Sequence, residues 1–129
     1  LEKLIKLARD RKSSPVEGSY TNKLLTDKSL SKAKIQEEVN ETNAAIKDKN
    51  PEEIVDGLID MCVFAIGTLD AFGIDPHSAW SEVMLANITK EPGVKESRPN
   101  PLGLPDLIKP ENWEGPDHRG NHGCLSNAL

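Results

Sequence analysis

Aromatic residues are scarce in this sequence: two Trp, two Phe and one Tyr make up 4% of its 129 residues. Hydrophobic residues of all kinds reach only 36%, a low share for a globular protein. Its core must therefore be small and built from aliphatic side chains. A chain of this length fits a single core, so we expect one compact domain.

Cysteine is also scarce, and long apolar runs are missing. Cys62 lies in an apolar stretch and Cys124 in a polar tail, so the two imply no disulfide framework. The longest apolar stretch, around residues 61–69, is interrupted by Gly67, and no basic-then-apolar signal sequence opens the chain. We therefore expect a cytoplasmic protein with no membrane partner.

The sequence lacks a run of basic residues interleaved with aromatics. Its 21 acidic residues outnumber 16 basic ones and give a net charge of −5. A nucleic-acid groove needs a basic stripe, so polymeric nucleic acid is not expected as a partner. Net negative charge does not exclude a small polyphosphate, because metal ions and a few Lys or Arg residues are enough to bind one.

What the sequence does contain is helical periodicity, with apolar residues recurring every three or four positions. The predicted helices span residues 1–12, 29 or 31 to 49, 51 to 71 or 72, and 77–90, with a turn-rich loop over 16–26. The third helix is apolar on almost every side, which predicts a buried central helix. Most of the prolines and glycines follow Lys90. The sequence therefore predicts an all-α fold: a four- to five-helix bundle over residues 1–92 and an extended proline-rich arm over 93–129 that is not an independent domain.

Acidic residues line one face of the second predicted helix. Glu37, Glu38 and Glu41 fall with Lys34 within an arc of about 100°, since each residue of a helix is turned by about 100° from the last. A charged face of this kind is, by itself, typical of a solvated surface.

Two more acids, Asp56 and Asp60, lie one turn apart in the apolar third helix. Burying a carboxylate costs several kcal/mol unless a metal, a Lys or hydrogen-bond donors compensate it, and a structural hydrogen bond for Asp60 is the simpler alternative. The short Asn50-Pro51 connection makes the two helices adjacent and antiparallel, so their acidic faces can converge. Ligands that are all oxygen favour Mg²⁺ or Mn²⁺ over zinc.

The segment Lys34-Ile-Gln-Glu37-Glu38-Val-Asn-Glu41, followed by the helix carrying Asp60, resembles the all-α nucleotide pyrophosphohydrolases. These include MazG, the dimeric dUTPases and phosphoribosyl-ATP pyrophosphohydrolase. Residues 18–21 resemble the phosphoribosyl-ATP branch, whereas residues 80–90 and 109–117 resemble MazG-type proteins encoded by phages. The resemblance implies a MazG-like helical bundle that hydrolyses an α–β phosphoanhydride bond with Mg²⁺, or Mn²⁺ in its place.

The resemblance also implies roles for individual residues. Glu38, Glu41 and Asp60 would hold Mg²⁺ with help from Asp56, and Glu37 and Glu38 would be catalytic, Glu37 by orienting or deprotonating the attacking water. The implied substrate contacts are Lys34, Asn87 and Lys90 to phosphate or sugar, and Tyr20 and Trp80 to the base, although aromatic residues in so lean a core also simply pack. One position departs from the family: Gly57 stands where family members usually carry Glu, and the residues that could replace this Glu are Asp56 and Glu53, one turn earlier.

Three functions stay open at this point. The first is a nucleoside or deoxynucleoside triphosphate pyrophosphohydrolase, and its alternative is the phosphoribosyl-ATP pyrophosphohydrolase of histidine biosynthesis. The third, favoured by Gly57, is a catalytically silent helical interaction module. Because the third helix is apolar nearly all round, we also expect a homo-oligomer of two or four copies. A phage-encoded protein would work in the host cytoplasm.

Overall fold

The structure is a computed structural model that describes residues 1–14 and 32–129, with side chains for 1–14 and 35–129. Within these ranges it contains four α-helices, two short strands and a short 3-10 helix. They are α1 (Glu2–Ser13), α2 (Lys32–Lys47), α3 (Pro51–Ala71), α4 (Pro76–Ile88), β1 (Glu91–Gly93), β2 (Asp106–Ile108) and the 3-10 helix Leu125–Ala128. The predicted all-α class is confirmed. The predicted loop over 16–26 lies outside the described residues. No helix in the described ranges has the length and apolar character needed to cross a membrane.

The chain divides into two compact units. One comprises Leu1–Pro76 together with His122–Leu129, and the other comprises His77–Asn121. The sequence predicts instead a helical domain over 1–92 and an arm over 93–129 that does not fold independently. A division into compact units does not test which part folds independently, so this division stays a prediction.

In the first unit, α1 packs against the C-terminal half of α3. Ile5 and Ala8 of α1 meet Ile66 of α3, and all three side chains are buried. The Lys12 ammonium donates a hydrogen bond of 2.9 Å to the carbonyl oxygen of Asp70. This contact places a cation at the C-terminal end of α3, where the helix dipole favours positive charge.

The second and third helices form an antiparallel hairpin, as the sequence predicts. A left-handed Lys49 with φ of 55° follows α2. The Asn50 side chain then caps α3 by accepting a hydrogen bond of 3.4 Å from the backbone N–H of Glu53, and Pro51 occupies the first turn. The short connection makes α2 and α3 direct neighbours in the unit.

The third helix, which the sequence predicts to be buried, is partly exposed in the single chain. Val55, Leu58 and Ile59, all in the N-terminal half of α3, are 59%, 52% and 55% exposed. On α2, the residues that are buried are Thr42 and Ala45, while the apolar Ile46 is exposed. Among the described elements α3 packs mainly with α1 and α2, which leave this part of the helix uncovered.

The end of α3 contacts the last residues of the chain. Gly73, with φ of 73°, follows the helix as a left-handed glycine. The backbone N–H of Cys124 donates a hydrogen bond of 2.8 Å to the carbonyl oxygen of Phe72. Gly123 lies so close that a Cβ there would collide with this same carbonyl oxygen. Residues 122–129 thereby complete the C-terminal end of α3.

In the second unit, the arm after α4 folds back rather than staying extended. β1 and β2 pair antiparallel, with Glu91 opposite Ile108 and Gly93 opposite Asp106. The Trp113 indole N–H donates to the carbonyl oxygen of Ala86 at 2.9 Å and lies 3.0 Å from the Thr89 hydroxyl. This fixes the segment around Trp113 against α4.

Candidate active site

The candidate acids of α2 lie beside its contact with α3. Glu37 and Glu41 are exposed and Glu38 is half-buried. Thr42 follows Glu41 directly and is only 3% exposed because it packs at the interface between the two helices. Glu38, one turn before Thr42, and Glu41 therefore border this interface on α2.

The candidate acids of α3 border the same interface. Asp56 directly precedes Gly57, which lies against Thr42, and Asp60 follows Gly57 three residues later. Both carboxylates are exposed. The expectation that these acids are buried and must be compensated is wrong for the single chain, since water reaches them directly. The structure nevertheless places acids from both helices next to one helix crossing.

Gly57 is a packing residue at this crossing. A Cβ on Gly57 would collide with the Thr42 hydroxyl and would lie 3.3 Å from the Thr42 Cβ. The Thr42 hydroxyl is held in place because it donates a hydrogen bond of 2.9 Å to the carbonyl oxygen of Glu38. A Glu at position 57 would therefore have no room at this separation of the helices. Sequence reasoning missed Thr42, and the available signal was the mid-helix glycine, which usually marks a close approach.

The donor set at this crossing fits a hard divalent cation by its chemistry. All five candidate side chains, which are Glu37, Glu38, Glu41, Asp56 and Asp60, offer only carboxylate oxygens, the ligands that Mg²⁺ prefers. In the part of the chain with described side chains, no three His, Cys, Asp or Glu residues stand close enough to hold a metal ion.

Three predicted substrate-binding residues belong to the unit His77–Asn121. The Lys90 ammonium donates a hydrogen bond of 2.9 Å to the side-chain oxygen of Asn87. The same ammonium lies 5.2 Å from the centre of the Trp113 ring, and the Lys109 ammonium lies 4.7 Å from it. Trp80 is 52% exposed. The remaining two predicted contacts, Tyr20 and the side chain of Lys34, lie outside the described residues.

A groove of about 490 Å³ runs between α4 and the segment that follows β2. Its lining includes apolar side chains but also Glu82, Glu111, Glu114 and Asp117. Arg119 donates hydrogen bonds to both carboxylate oxygens of Asp117, at 2.9 and 2.6 Å, and this holds the pKa of Asp117 well below its usual range. None of the five candidate acids of α2 and α3 lines this groove.

Comparisons with known proteins point to one family of enzymes. The family model of phosphoribosyl-ATP pyrophosphohydrolase matches residues 1–87. Three similar proteins are each named phosphoribosyl-ATP pyrophosphatase. The one from Bacillus cytotoxicus is 41% identical over 86 residues, which are 64% of this chain and 78% of the relative. The one from Clostridium acetobutylicum is 33% identical over 93 residues, 70% of this chain and 76% of the relative. The one from Streptococcus thermophilus is 35% identical over 100 residues, 76% of this chain and 94% of the relative. No solved structure matches the chain significantly.

Proposed function

Because the chain belongs to the phosphoribosyl-ATP pyrophosphohydrolase family, and is therefore an enzyme that hydrolyses a phosphoanhydride bond, we propose that its substrate is phosphoribosyl-ATP. The products would be phosphoribosyl-AMP and pyrophosphate. The observation that carries this proposal is the family match, which spans α2 and α3 with all five candidate acids. A general nucleoside triphosphate pyrophosphohydrolase has less support, since the three relatives bear the name of the alternative.

We propose that Glu38, Glu41 and Asp60 hold Mg²⁺, or Mn²⁺ in its place, with help from Asp56. When bound, such an ion neutralises charge on the phosphate oxygens. The support is the position of these acids on both sides of one helix crossing.

The proposed catalytic step is attack of water on phosphorus with cleavage of the α–β phosphoanhydride bond. Glu37 is exposed on the same helix as Glu38, where its carboxylate can accept a proton from the attacking water as the P–O bond forms. Glu38 would assist this step as one of the proposed ligands of the divalent cation. Release of pyrophosphate completes the reaction.

We propose that Lys34, Asn87 and Lys90 contact phosphate or sugar, and that Tyr20 and Trp80 stack on the base. The hydrogen bond between Asn87 and Lys90 supports a shared polar contact, because the ammonium keeps two further donors for a phosphate oxygen. Trp80 exposes half of its surface, as a stacking residue must before the ligand arrives.

We further propose that the working unit is a homo-oligomer in the cytoplasm. Val55, Leu58, Ile59 and Cys62 recur at helical spacing on α3 and are all exposed. An exposed apolar stripe of this kind marks a protein interface. A second copy of the chain can cover it.

The test is a substrate panel with pyrophosphate as the readout. The protein is incubated with Mg²⁺ and either phosphoribosyl-ATP or one of the common ribo- and deoxyribonucleoside triphosphates. We expect kcat/KM for phosphoribosyl-ATP to exceed that for ATP by at least about a hundredfold, and EDTA to abolish turnover. Fast turnover of a deoxynucleoside triphosphate with no turnover of phosphoribosyl-ATP would instead support a general nucleoside triphosphate pyrophosphohydrolase. No pyrophosphate from any substrate would favour the silent interaction module.

A further inference from the structure

A glycine in the middle of a helix destabilises it, so Gly57 in α3 requires a physical reason. The reason is the Thr42–Gly57 crossing, a point of close contact between α2 and α3. A Cβ on Gly57 would collide with the Thr42 hydroxyl and lie 3.5 Å from the Thr42 Cα, which belongs to the backbone of α2. The helices can approach this closely only because position 57 has no side chain.

The crossing is rigid on the side of α2. Thr42 is 3% exposed, and its hydroxyl donates to the carbonyl oxygen of Glu38 at 2.9 Å. Rotating this side chain away from Gly57 would break that bond inside a closely packed interface. An added methyl group at position 57 must therefore push the two helices apart rather than displace a loose side chain.

The candidate metal ligands are placed directly around this contact. Glu41 and Asp56 each immediately precede a residue of the crossing, and Glu38 and Asp60 each lie about one turn from it along their own helix. The separation of α2 and α3 at this point therefore sets how far apart the carboxylates of the two helices stand.

We propose that Thr42 and Gly57 are positioning residues, whose contact sets the distance between the two acidic helix faces and so the affinity for the divalent cation. This inference rests on the proposed function, since it concerns the metal of the same site. It also gives a role to the Gly that replaces the family's Glu at position 57. This residue supplies no carboxylate but lets α2 and α3 approach each other closely.

The experiment measures binding of Mn²⁺ to the full chain by isothermal titration calorimetry, well below the unfolding temperature of each variant. We expect Gly57→Ala to weaken Mn²⁺ binding about tenfold, as the loss of outer residues that orient metal ligands commonly does. The matched control is Gly67→Ala, in the same helix, where a Cβ would meet nothing within 4 Å. That control should bind Mn²⁺ within about twofold of the wild type.

A double-mutant cycle with Thr42→Ala separates positioning from general destabilisation. Thr42→Ala removes the colliding oxygen and should by itself weaken Mn²⁺ binding about threefold. Adding Gly57→Ala to it should cost less than Gly57→Ala costs alone, because the hydroxyl collision is gone and only the 3.3 Å contact with the Cβ of residue 42 remains. If Gly57→Ala alone does not fold, Thr42→Ala carries the test, and wild-type affinity in that variant would overturn the inference.

The other outcomes are equally distinct. Unchanged Mn²⁺ affinity in Gly57→Ala, even with a lower unfolding temperature, would mean that the crossing is a purely structural contact. This result would overturn the positioning role but not the proposed function. A wild-type chain that binds no Mn²⁺ would overturn both this inference and the proposed metal site, whereas its turnover of phosphoribosyl-ATP is judged separately by the substrate panel.

Discussion

At the scale of single residues, the carboxylates of α2 and α3 carry the proposed chemistry. We expect Glu38→Gln, Glu41→Gln and Asp60→Asn each to lower kcat/KM by at least about a hundredfold, because each replaces a charged metal ligand by a neutral amide. Circular dichroism should show an unchanged helical fold, since the side chains are exposed or half-buried. The control is Glu96→Gln, an exposed acid outside both helices. Near-normal activity in any two of the three would contradict the assignment.

Helical spacing predicts which acids share a face of each helix, whereas their role as metal ligands comes from the family resemblance and stays a prediction. The Thr42–Gly57 crossing could not be predicted from the sequence. Periodicity shows that Gly57 interrupts an apolar helix, but the residue of α2 that lies opposite depends on the register of two packed helices. For the same reason the sequence left the meaning of the missing Glu open.

At the scale of elements, α2 and α3 bring several like charges to one crossing, and their repulsion should weaken the metal-free hairpin. Millimolar Mg²⁺ should therefore raise the melting temperature by a few degrees, and EDTA should reverse the rise, because a ligand that binds only the folded state stabilises it. The comparison is Asp60→Asn, in which the rise should be smaller. The same melting temperature with and without Mg²⁺ in the wild type would argue that the carboxylates are satisfied without a metal.

The C-terminal segment gives a second prediction at this scale. Gly123→Ala should lower the free energy of unfolding by about 1–3 kcal/mol, since Gly123 has φ of 52° and a Cβ would also strike the Phe72 carbonyl oxygen. Gly120→Ala is the matched control: Gly120 has φ of 76°, but a Cβ there meets nothing within 4 Å. Urea denaturation of both variants separates the cost of backbone strain from the cost of the collision with Phe72. Equal losses would mean that the close approach to Phe72 contributes nothing.

The helices were predictable to within a few residues because their apolar spacing is strong and Asn50-Pro51 and Gly73 mark their ends. The β1–β2 pair was not. Its strands have three residues each, and one of them contains Pro92, so neither offers a period of two long enough to recognise. The return of residues 122–129 to the end of α3 is likewise a contact between distant parts of the chain, which local sequence patterns do not encode.

At the scale of the whole molecule, the exposed apolar surface is the feature that a single chain leaves unexplained. The sequence showed that α3 is apolar nearly all round but could not show which sides the chain's own helices cover. Among the described residues, the side of α3 that packs against α1 is covered, since Ile66 there is 5% exposed. Leu58, in the N-terminal half of the helix, is 52% exposed. We infer that the N-terminal half of α3 is the side left for another subunit.

The last prediction tests this surface directly. Leu58→Arg places a charge in the middle of the apolar stripe, and burying an unpaired charge in an interface is strongly unfavourable. Multi-angle light scattering should show a dimer or tetramer for the wild type and a smaller species for this variant at micromolar concentration. Leu102→Arg is the control, because Leu102 is 79% exposed and lies outside the stripe. If the partner subunit helps to hold α3 and its acids in place, Leu58→Arg should lower both turnover and assembly. Leu102→Arg should leave turnover and assembly unchanged. A wild-type protein that is fully active as a monomer would refute the oligomer, and the apolar stripe would then need cover from residues of its own chain.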